Sequence, residues 1–92
     1  MSTPTAGVEE QLRERLAHLS PRRLEIIDES AKHAGHAGAR NGGGHYRLLI
    51  VADAFSGLTP LARHRLVMEA VDDLMRGAVH ALSIKPLAPE DV

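Results

Sequence analysis

The hydrophobic positions between Thr59 and Ile84 follow first a helical period and then a strand-like one. Thr59 suits a helix N-cap, and Pro60 suits the first helical position, where no amide hydrogen is needed. Apolar residues then recur at steps of three and four, at Val67, Met68, Val71, Leu74 and Met75. Gly77 follows the last of them, where a helix often ends. Because the segment 79–84 is short, apolar and partly β-branched, the pattern predicts a long amphipathic helix followed by a strand.

The pattern of apolar residues before residue 30 predicts one helix and one strand. An apolar stripe on one helical face is formed by Val8, Leu12, Leu16 and Leu19. This helix is expected to end at Ser20, because a helical conformation is disfavoured in the residue that precedes Pro21. The short segment 24–29, which reads Leu-Glu-Ile-Ile-Asp-Glu, predicts a strand.

A second strand is predicted from His45 to Ala52, where the side chains alternate. Tyr46, Leu48 and Ile50 point to one face, and Arg47, Leu49 and Val51 point to the other. The segment 30–44 between the two strands contains five glycines and no apolar period, which predicts a long flexible loop. Strands joined directly by a loop pair most simply as an antiparallel hairpin.

The predicted elements come in the order α-β-β-α-α-β. A turn or short helix containing Phe55 and Gly57 precedes the long helix, and Pro86 and Pro89 predict that the last strand ends near Lys85. We predict a single α+β domain over residues 8–89, flanked by tails at 1–7 and 90–92. Its helices are expected to pack on one face of a three-stranded sheet.

Composition excludes several classes of function. The 92 residues are 43% hydrophobic and 25% charged, as in ordinary globular domains. A net charge of −1 provides no bulk attraction to nucleic acid or to an anionic membrane. Without cysteine there is no disulfide, no thiolate metal ligand and no cysteine nucleophile. Because no apolar run reaches about 20 residues and no signal peptide is recognisable, we expect a cytoplasmic protein that binds no membrane.

Six histidines are many for this length, and four of them are candidates for metal binding. His33 and His36 lie in the glycine-rich segment, whose flexible backbone would let an imidazole reach a metal ion. His80 begins the last strand, where it is either a partly buried, hydrogen-bonded residue or a metal ligand or proton carrier. His45 would complete a set of four, but a structural zinc site made only of histidines is unusual. We therefore expect the missing ligands to come from a partner.

The long helix carries three further candidates near its N-terminus. His64 is in phase with the apolar stripe and is expected to face the sheet as a hydrogen-bonded structural residue. Arg63 and Arg65 flank it and are either contacts for a phosphate or carboxylate or simple surface charge. Residues 35–38 match the Gly-x-x-Gly loop of KH domains, but that loop joins two helices, whereas this segment joins two strands. No catalytic triad or phosphate-binding glycine motif is recognisable, so an enzyme is not expected.

Several of these segments together resemble the BolA family. They are Asp28-Glu29-Ser30 followed by His33, His45-Tyr46 at the start of a strand, Phe55-x-Gly57, Leu61-x-Arg63-His64-Arg65-Leu66-Val67, and Val79-His80-Ala81-Leu82-Ser83-Ile84. The resemblance runs from about Val8 to Pro89. It implies an α-β-β-α-α-β fold like the type II KH fold, in agreement with the order of elements above.

The resemblance implies a function in iron–sulfur biology. BolA-like proteins pair with monothiol glutaredoxins that carry a Cys-Gly-Phe-Ser motif, and the heterodimer shares a 2Fe–2S cluster in iron–sulfur trafficking or iron sensing. One cluster ligand is the histidine of the His-Ala-Leu segment, here His80, and the other comes from the loop, where His33 matches and His36 is a nearby rival. Since imidazole protonates near neutral pH, such a cluster is expected to be labile in acid. The isolated protein, a monomer or weak homodimer, is expected to hold no cluster.

The resemblance also implies two alternatives. Some BolA-like proteins are described as transcription regulators that bind DNA through their helical, KH-like surface. In this chain Arg47, Arg63 and Arg65 would then be the contacts. The remaining alternative is an adaptor without metal, in which the histidines only pack.

Overall fold

The computed structural model describes residues 7–29 and 44–92 of the chain. Its helices are α1 (Val8–Leu16), α2 (Pro60–Ala70) and α3 (Asp72–Met75), and its strands are β1 (Arg23–Asp28), β2 (Gly44–Val51) and β3 (Val79–Leu87). Short 3-10 turns follow α1 at Ala17–Leu19, β2 at Asp53–Phe55 and β3 at Pro89–Asp91. The predicted α-β-β-α-α-β order is confirmed, but its two middle helices differ from the prediction: α2 and α3 both lie within the predicted long helix, and the predicted turn or short helix around Phe55 is a 3-10 turn. None of the helices in the described ranges has the length and apolar character that crossing a membrane requires.

The three strands form one mixed sheet in the order β1-β2-β3. Strands β1 and β2 are antiparallel, with Leu24 opposite Ile50, which confirms the predicted hairpin. Strands β2 and β3 are parallel, with Tyr46 opposite Leu82. A parallel pair needs a long crossover connection, and helices α2 and α3 provide it.

The core lies between one face of this sheet and the helices. Leu48 and Ile50 of β2 are fully buried there, together with Leu12 of α1, Val67 of α2 and Phe55 of the turn after β2. The alternate residues of the sheet, which point the other way, include exposed side chains at Ile27, Arg47, Ser83 and Lys85. Helices therefore pack on one face, as predicted, and the other face carries the polar side of the strands.

The predicted long helix is interrupted at Val71, where φ is −109° and ψ is 15°. Its start is as predicted, because the Thr59 hydroxyl accepts a hydrogen bond of 3.1 Å from the amide of Ala62. The carbonyl of Val71 then accepts bonds of 2.9 and 3.1 Å from the amides of Leu74 and Met75. Both Val71 and Leu74 are buried, so the apolar stripe is preserved across the break.

The last strand runs to Leu87, beyond the end near Lys85 that the prolines predicted. Strand β3 is at the edge of the sheet, where the missing amide hydrogen of Pro86 breaks no ladder bond. The chain stays ordered past the predicted domain end as well. The side chain of Asp91 accepts a hydrogen bond of 3.0 Å from the amide of buried Ala88, so residue 91 belongs to the folded unit rather than to a tail.

Candidate metal centre

His80 lies at an irregularity in the pairing of the two parallel strands. Gly44 is opposite Val79, but the next residue, His45, is opposite Ala81, so position 80 is an extra residue in β3. Such β-bulges redirect side chains and are frequent beside functional sites. Val79 is fully buried, whereas His80 is exposed. The imidazole at position 80 is therefore accessible from solvent, as a ligand shared with a partner requires.

The ring of His45 lies next to that of His80. Their centroids are 5.2 Å apart, and the ring planes are tilted by 33°. The backbone around His45 is held in the sheet, because its carbonyl accepts a bond of 2.7 Å from the amide of Glu29, and the amide of Gly44 donates one of 3.0 Å to the carbonyl of Ala78. The two imidazoles thus stand side by side on the starting ends of adjacent strands.

Sequence reasoning named His45 only as one of four histidines and did not pair it with His80. The signal that would have paired them is that each stands at the start of an apolar strand. The starting ends of parallel strands meet at one edge of a sheet, so a parallel pairing of β2 and β3 places both residues there. That pairing was not predicted.

The ring of Tyr46 leaves no room for a side chain at Gly44. A Cβ atom built on Gly44 would lie 2.4 Å from Cε1 of Tyr46 and 3.0 Å from its hydroxyl oxygen. The ring of Tyr46 is buried and covers the glycine, so a side chain at residue 44 must displace it. Gly44 belongs to the glycine-rich segment by sequence, but in the fold it is the first residue of β2.

We expect Gly44→Ala to lower the free energy of unfolding by about 1–3 kcal/mol, the usual cost of overpacking a filled site. The measurement is urea unfolding followed by far-ultraviolet circular dichroism. Gly77→Ala is the matched control, because nothing lies within 4 Å of a Cβ atom there, and its change should stay within about 0.5 kcal/mol. Equal unfolding midpoints for the two variants would contradict the close contact with Tyr46.

The remaining metal candidates, His33 and His36, lie outside the described residues. In the ranges 7–29 and 44–92 no group of three or more histidine, cysteine, aspartate or glutamate side chains is arranged to hold a metal ion. The described part of the chain therefore brings together two imidazoles, His45 and His80. A tetrahedral metal ion bound there needs two further ligands.

Arg63 is occupied within the fold. Only 15% of its side chain is exposed. Its Nε donates to the carbonyl of Leu58 at 3.0 Å, and its Nη1 donates to the carbonyl of Pro86 at 3.3 Å and to Oδ2 of Asp91 at 2.7 Å. The guanidinium thus joins the start of α2 to the end of β3 and the last turn. The prediction that Arg63 contacts a partner or nucleic acid is corrected, because its side chain is mostly buried and its Nε and Nη1 donate within the fold.

This contact also affects the ionisation of Asp91. The hydrogen bond from Arg63 lowers the pKa of the Asp91 carboxyl, and the amide of Ala88 lowers it further. A pKa depressed in the folded state contributes stability above the pKa of the unfolded chain, and that contribution is lost as pH falls through the folded-state value. The hydrogen bonds of Asp73 with Arg15 lower the pKa of Asp73 in the same sense.

We therefore expect the protein to lose stability as the pH falls below about 4, the ordinary pKa of an aspartate. Thermal unfolding recorded between pH 6 and pH 2 measures this loss. Asp91→Asn removes one of the responsible groups, so its melting temperature should depend less on pH across that window. An unchanged pH dependence in Asp91→Asn would show that the contact with Arg63 does not favour the ionised carboxylate.

The other candidates on α2 are exposed. His64 lines a groove between α2 and the last residues of β3, and within the described residues no hydrogen bond holds its ring. The prediction that His64 is a hydrogen-bonded structural residue is therefore wrong. Helical phase placed it toward β3, but Arg63, not His64, makes the polar contacts there.

Arg47 and Arg65 do not share a surface. Arg47 is exposed on the face of the sheet opposite the helices, where its Nη2 lies 3.1 Å from Oε2 of Glu29. Arg65 is exposed on α2, beside Glu69. With Arg63 held in the fold, the three predicted arginines form no common basic patch.

Comparison with known proteins identifies the family of this chain. The family model for BolA-like proteins matches residues 16–91. The chain is 42% identical over 89 residues to BolA-like protein 1 of Mus musculus and covers 63% of it. It is 41% identical over 88 residues to the chloroplastic/mitochondrial SufE-like protein 1 of Arabidopsis thaliana, of which it covers 24%. These alignments include 96% and 89% of this chain, and the chain spans less than two thirds of the length of either relative.

The chain is also similar to a solved structure and to a third relative. The structure of BolA1 from Arabidopsis thaliana superposes with a TM-score of 0.83 at 34% identity, over 96% of this chain and 98% of that one. A protein of Vibrio cholerae named DNA-binding transcriptional regulator BolA is 38% identical over 64 residues, which are 70% of this chain and 58% of the relative. Comparison of the fold and comparison of the sequence thus both identify BolA proteins as the relatives of this chain.

Proposed function

Because the chain belongs to the family of BolA-like proteins, we propose that it is a non-enzymatic partner of a monothiol glutaredoxin and shares a 2Fe–2S cluster with it. The observation that carries this proposal is the exposed imidazole of His80 at the bulge of β3. The second imidazole would come from His33 or His36, or from a neighbour in the fold. The role we infer is cluster transfer or iron sensing.

The donor set fits such a cluster if a partner supplies sulfur. Iron–sulfur clusters are normally bound by thiolates, and this chain has no cysteine. Its imidazoles would therefore bind on one side, while the thiolates come from the glutaredoxin side. Replacing thiolates with imidazoles raises the reduction potential of a 2Fe–2S centre. Imidazole also binds metal only when deprotonated, which favours release of the cluster in acid over permanent storage.

The direct test is anaerobic co-expression with a Cys-Gly-Phe-Ser glutaredoxin, purification through a tag on this chain, and analysis for iron and acid-labile sulfide. We expect a heterodimer that contains two irons and two sulfides, as one 2Fe–2S cluster requires. A heterodimer that forms equally well without iron would indicate the adaptor alternative. Failure of the two proteins to associate in the presence of cluster would refute the proposal.

DNA binding is the second candidate, and the name of the Vibrio cholerae relative favours it. In this chain it would depend on Arg65 and Arg47, since Arg63 is held within the fold. Phosphate contacts make affinity fall steeply with salt, so the test is DNA binding of the wild type and of Arg65→Gln at two salt concentrations. Weak binding without sequence preference at physiological salt would count against it.

A further inference from the structure

We propose that the groove between α2 and the outer edge of β3 binds an extended acidic peptide segment of a partner protein, which pairs with β3 as a further strand. The groove has a volume of about 400 Å³ and is lined by residues from the start of α2 and by residues 84–87 of β3. It lies at the opposite end of β3 from His80, so the peptide site is independent of the proposed metal ligands and of the proposed function.

The outer edge of β3 presents backbone groups that no other strand uses. β3 is an edge strand, and the carbonyl of Leu87 accepts a bond of 3.0 Å from the amide of Ala52, which follows β2. Because successive strand residues direct their backbone groups to opposite edges, those of Ile84 and Pro86 point away from β2. The bond from Nη1 of Arg63 to the carbonyl of Pro86 has this direction. In the ranges 7–29 and 44–92 no bond outside the sheet uses the amide or carbonyl of Ile84.

A peptide strand is the occupant that fits this edge. Extended peptides bind exposed edges through main-chain hydrogen bonds and place alternate side chains in pockets. The groove follows four residues of β3, which is about 13 Å of strand. Ile84, Pro86 and Leu87 give it aliphatic contacts, and the described residues that line it include no phenylalanine, tyrosine or tryptophan on which nucleic-acid bases could stack. The groove therefore favours a peptide over single-stranded nucleic acid.

The charges around the groove select an acidic peptide. Lys85 and His64 are exposed at its rim, and the described residues that line it include no aspartate or glutamate. Arg63 also lines the groove, but its guanidinium is paired with Asp91 at 2.7 Å, so Lys85 supplies the available positive charge there. The whole chain has a net charge of −1, so this selection is local. A carboxylate beside Lys85 is favoured, and a lysine in its place is disfavoured.

The open edge of β3 is tested by amide hydrogen exchange of the isolated protein, followed by nuclear magnetic resonance. We expect the amide of Ile84 to exchange rapidly, whereas the amides of Lys85 and Leu87, which face β2, should be protected. Slow exchange of Ile84 in dilute protein would show that the edge is already covered and would overturn the proposal. Protection of Ile84 that grows with protein concentration would assign the edge to a second copy of this chain, with the same consequence.

Peptide binding is measured by fluorescence anisotropy with a labelled peptide in which glutamate and valine alternate. We expect saturable binding that protects the amide of Ile84 from exchange, and binding weaker by about tenfold or more when lysine replaces glutamate. Only alternate amides of the peptide face β3, so N-methylation should weaken binding in one of the two alternating sets and not in the other. Equal binding of the parent peptide and both methylated peptides would exclude pairing with the edge.

The protein side of the contact is tested with Lys85→Glu, which should weaken binding of the acidic peptide by about tenfold or more. Arg76→Glu is the matched control, because it makes the same change in net charge at an exposed residue after α3, at the other end of β3. Both variants should keep the urea midpoint of the wild type, since both side chains are exposed. Equal peptide affinities of the two variants would overturn the proposal.

A single-stranded oligothymidine serves as the competing ligand in the same measurements. We expect it to leave the exchange of the Ile84 amide unchanged. If the oligonucleotide protects this amide while the acidic peptide does not bind, the groove belongs to nucleic acid and the peptide proposal is wrong.

Discussion

Replacing His80 with glutamine is expected to remove the cluster from the glutaredoxin heterodimer while leaving the protein folded. His80 is exposed at the bulge of β3, and its only ring contact among the described residues is with His45. Glutamine keeps a polar side chain of similar length but offers no imidazole nitrogen to iron. Even outer-shell partners of metal ligands contribute about tenfold or more in affinity, so removal of a ligand should weaken cluster retention by at least that factor.

The measurement is visible absorption and circular dichroism of cluster-loaded glutaredoxin titrated with wild-type or variant protein. The wild type should change both spectra, and His80→Gln should change neither. His64→Gln is the matched control, because it removes an exposed histidine of α2 that lies beside the opposite end of β3, where it lines the groove with Lys85 and Pro86. Spectra that respond equally to His80→Gln and the wild type would exclude His80 as a ligand.

Arg63→Met is expected to have the largest effect on stability of any arginine substitution in the described part of the chain. The variant retains an apolar side chain but loses bonds to the carbonyls of Leu58 and Pro86 and to Asp91. Two carbonyls and a carboxylate are then left without this donor, in a place where the guanidinium was only 15% exposed. We expect a loss of about 2 kcal/mol in unfolding free energy.

Urea unfolding of Arg63→Met and Arg65→Met provides the comparison. Arg65 is exposed two residues further along the same helix, so its replacement should change the unfolding free energy by no more than about 0.5 kcal/mol. If the two variants unfold at the same urea concentration, the contacts of Arg63 do not stabilise the fold. The same two variants also guide the DNA-binding test. Because Arg63→Met is expected to destabilise the fold, a loss of DNA binding in that variant would not identify Arg63 as a DNA contact.

The residues of the core could be predicted from the sequence, because the apolar side chains that become buried recur with the period of the helix or strand that carries them. Leu12 and Leu16 on α1, and Tyr46, Leu48 and Ile50 on β2, were assigned to the correct faces, and all five are buried. A stripe of this kind must be covered whatever the tertiary arrangement. The break at Val71 was not visible, since the stripe continues across it and contains no glycine or proline.

The candidate site could be predicted only in part. His80 was identified through its place in the His-Ala-Leu segment, and the structure leaves it accessible. His45 was named as a candidate, but its proximity to His80 was not predicted, because the two are 35 positions apart and meet only through the parallel pairing of their strands. His64 was predicted to make structural hydrogen bonds and Arg63 to be a surface contact, but the structure has these environments exchanged. Helical phase alone does not show which of two adjacent side chains finds hydrogen-bond partners on another element.

The sequence by itself determined the order of the elements, the apolar faces that form the core, and the absence of thiolate ligands. These are local properties, since they depend on the spacing of side chains along a few turns or one strand. Only the tertiary structure decided that β2 and β3 run parallel, that His45 meets His80, and that Arg63 lies against Asp91. Such contacts join residues far apart in the chain, and they arise because the sheet and the helices must share one core.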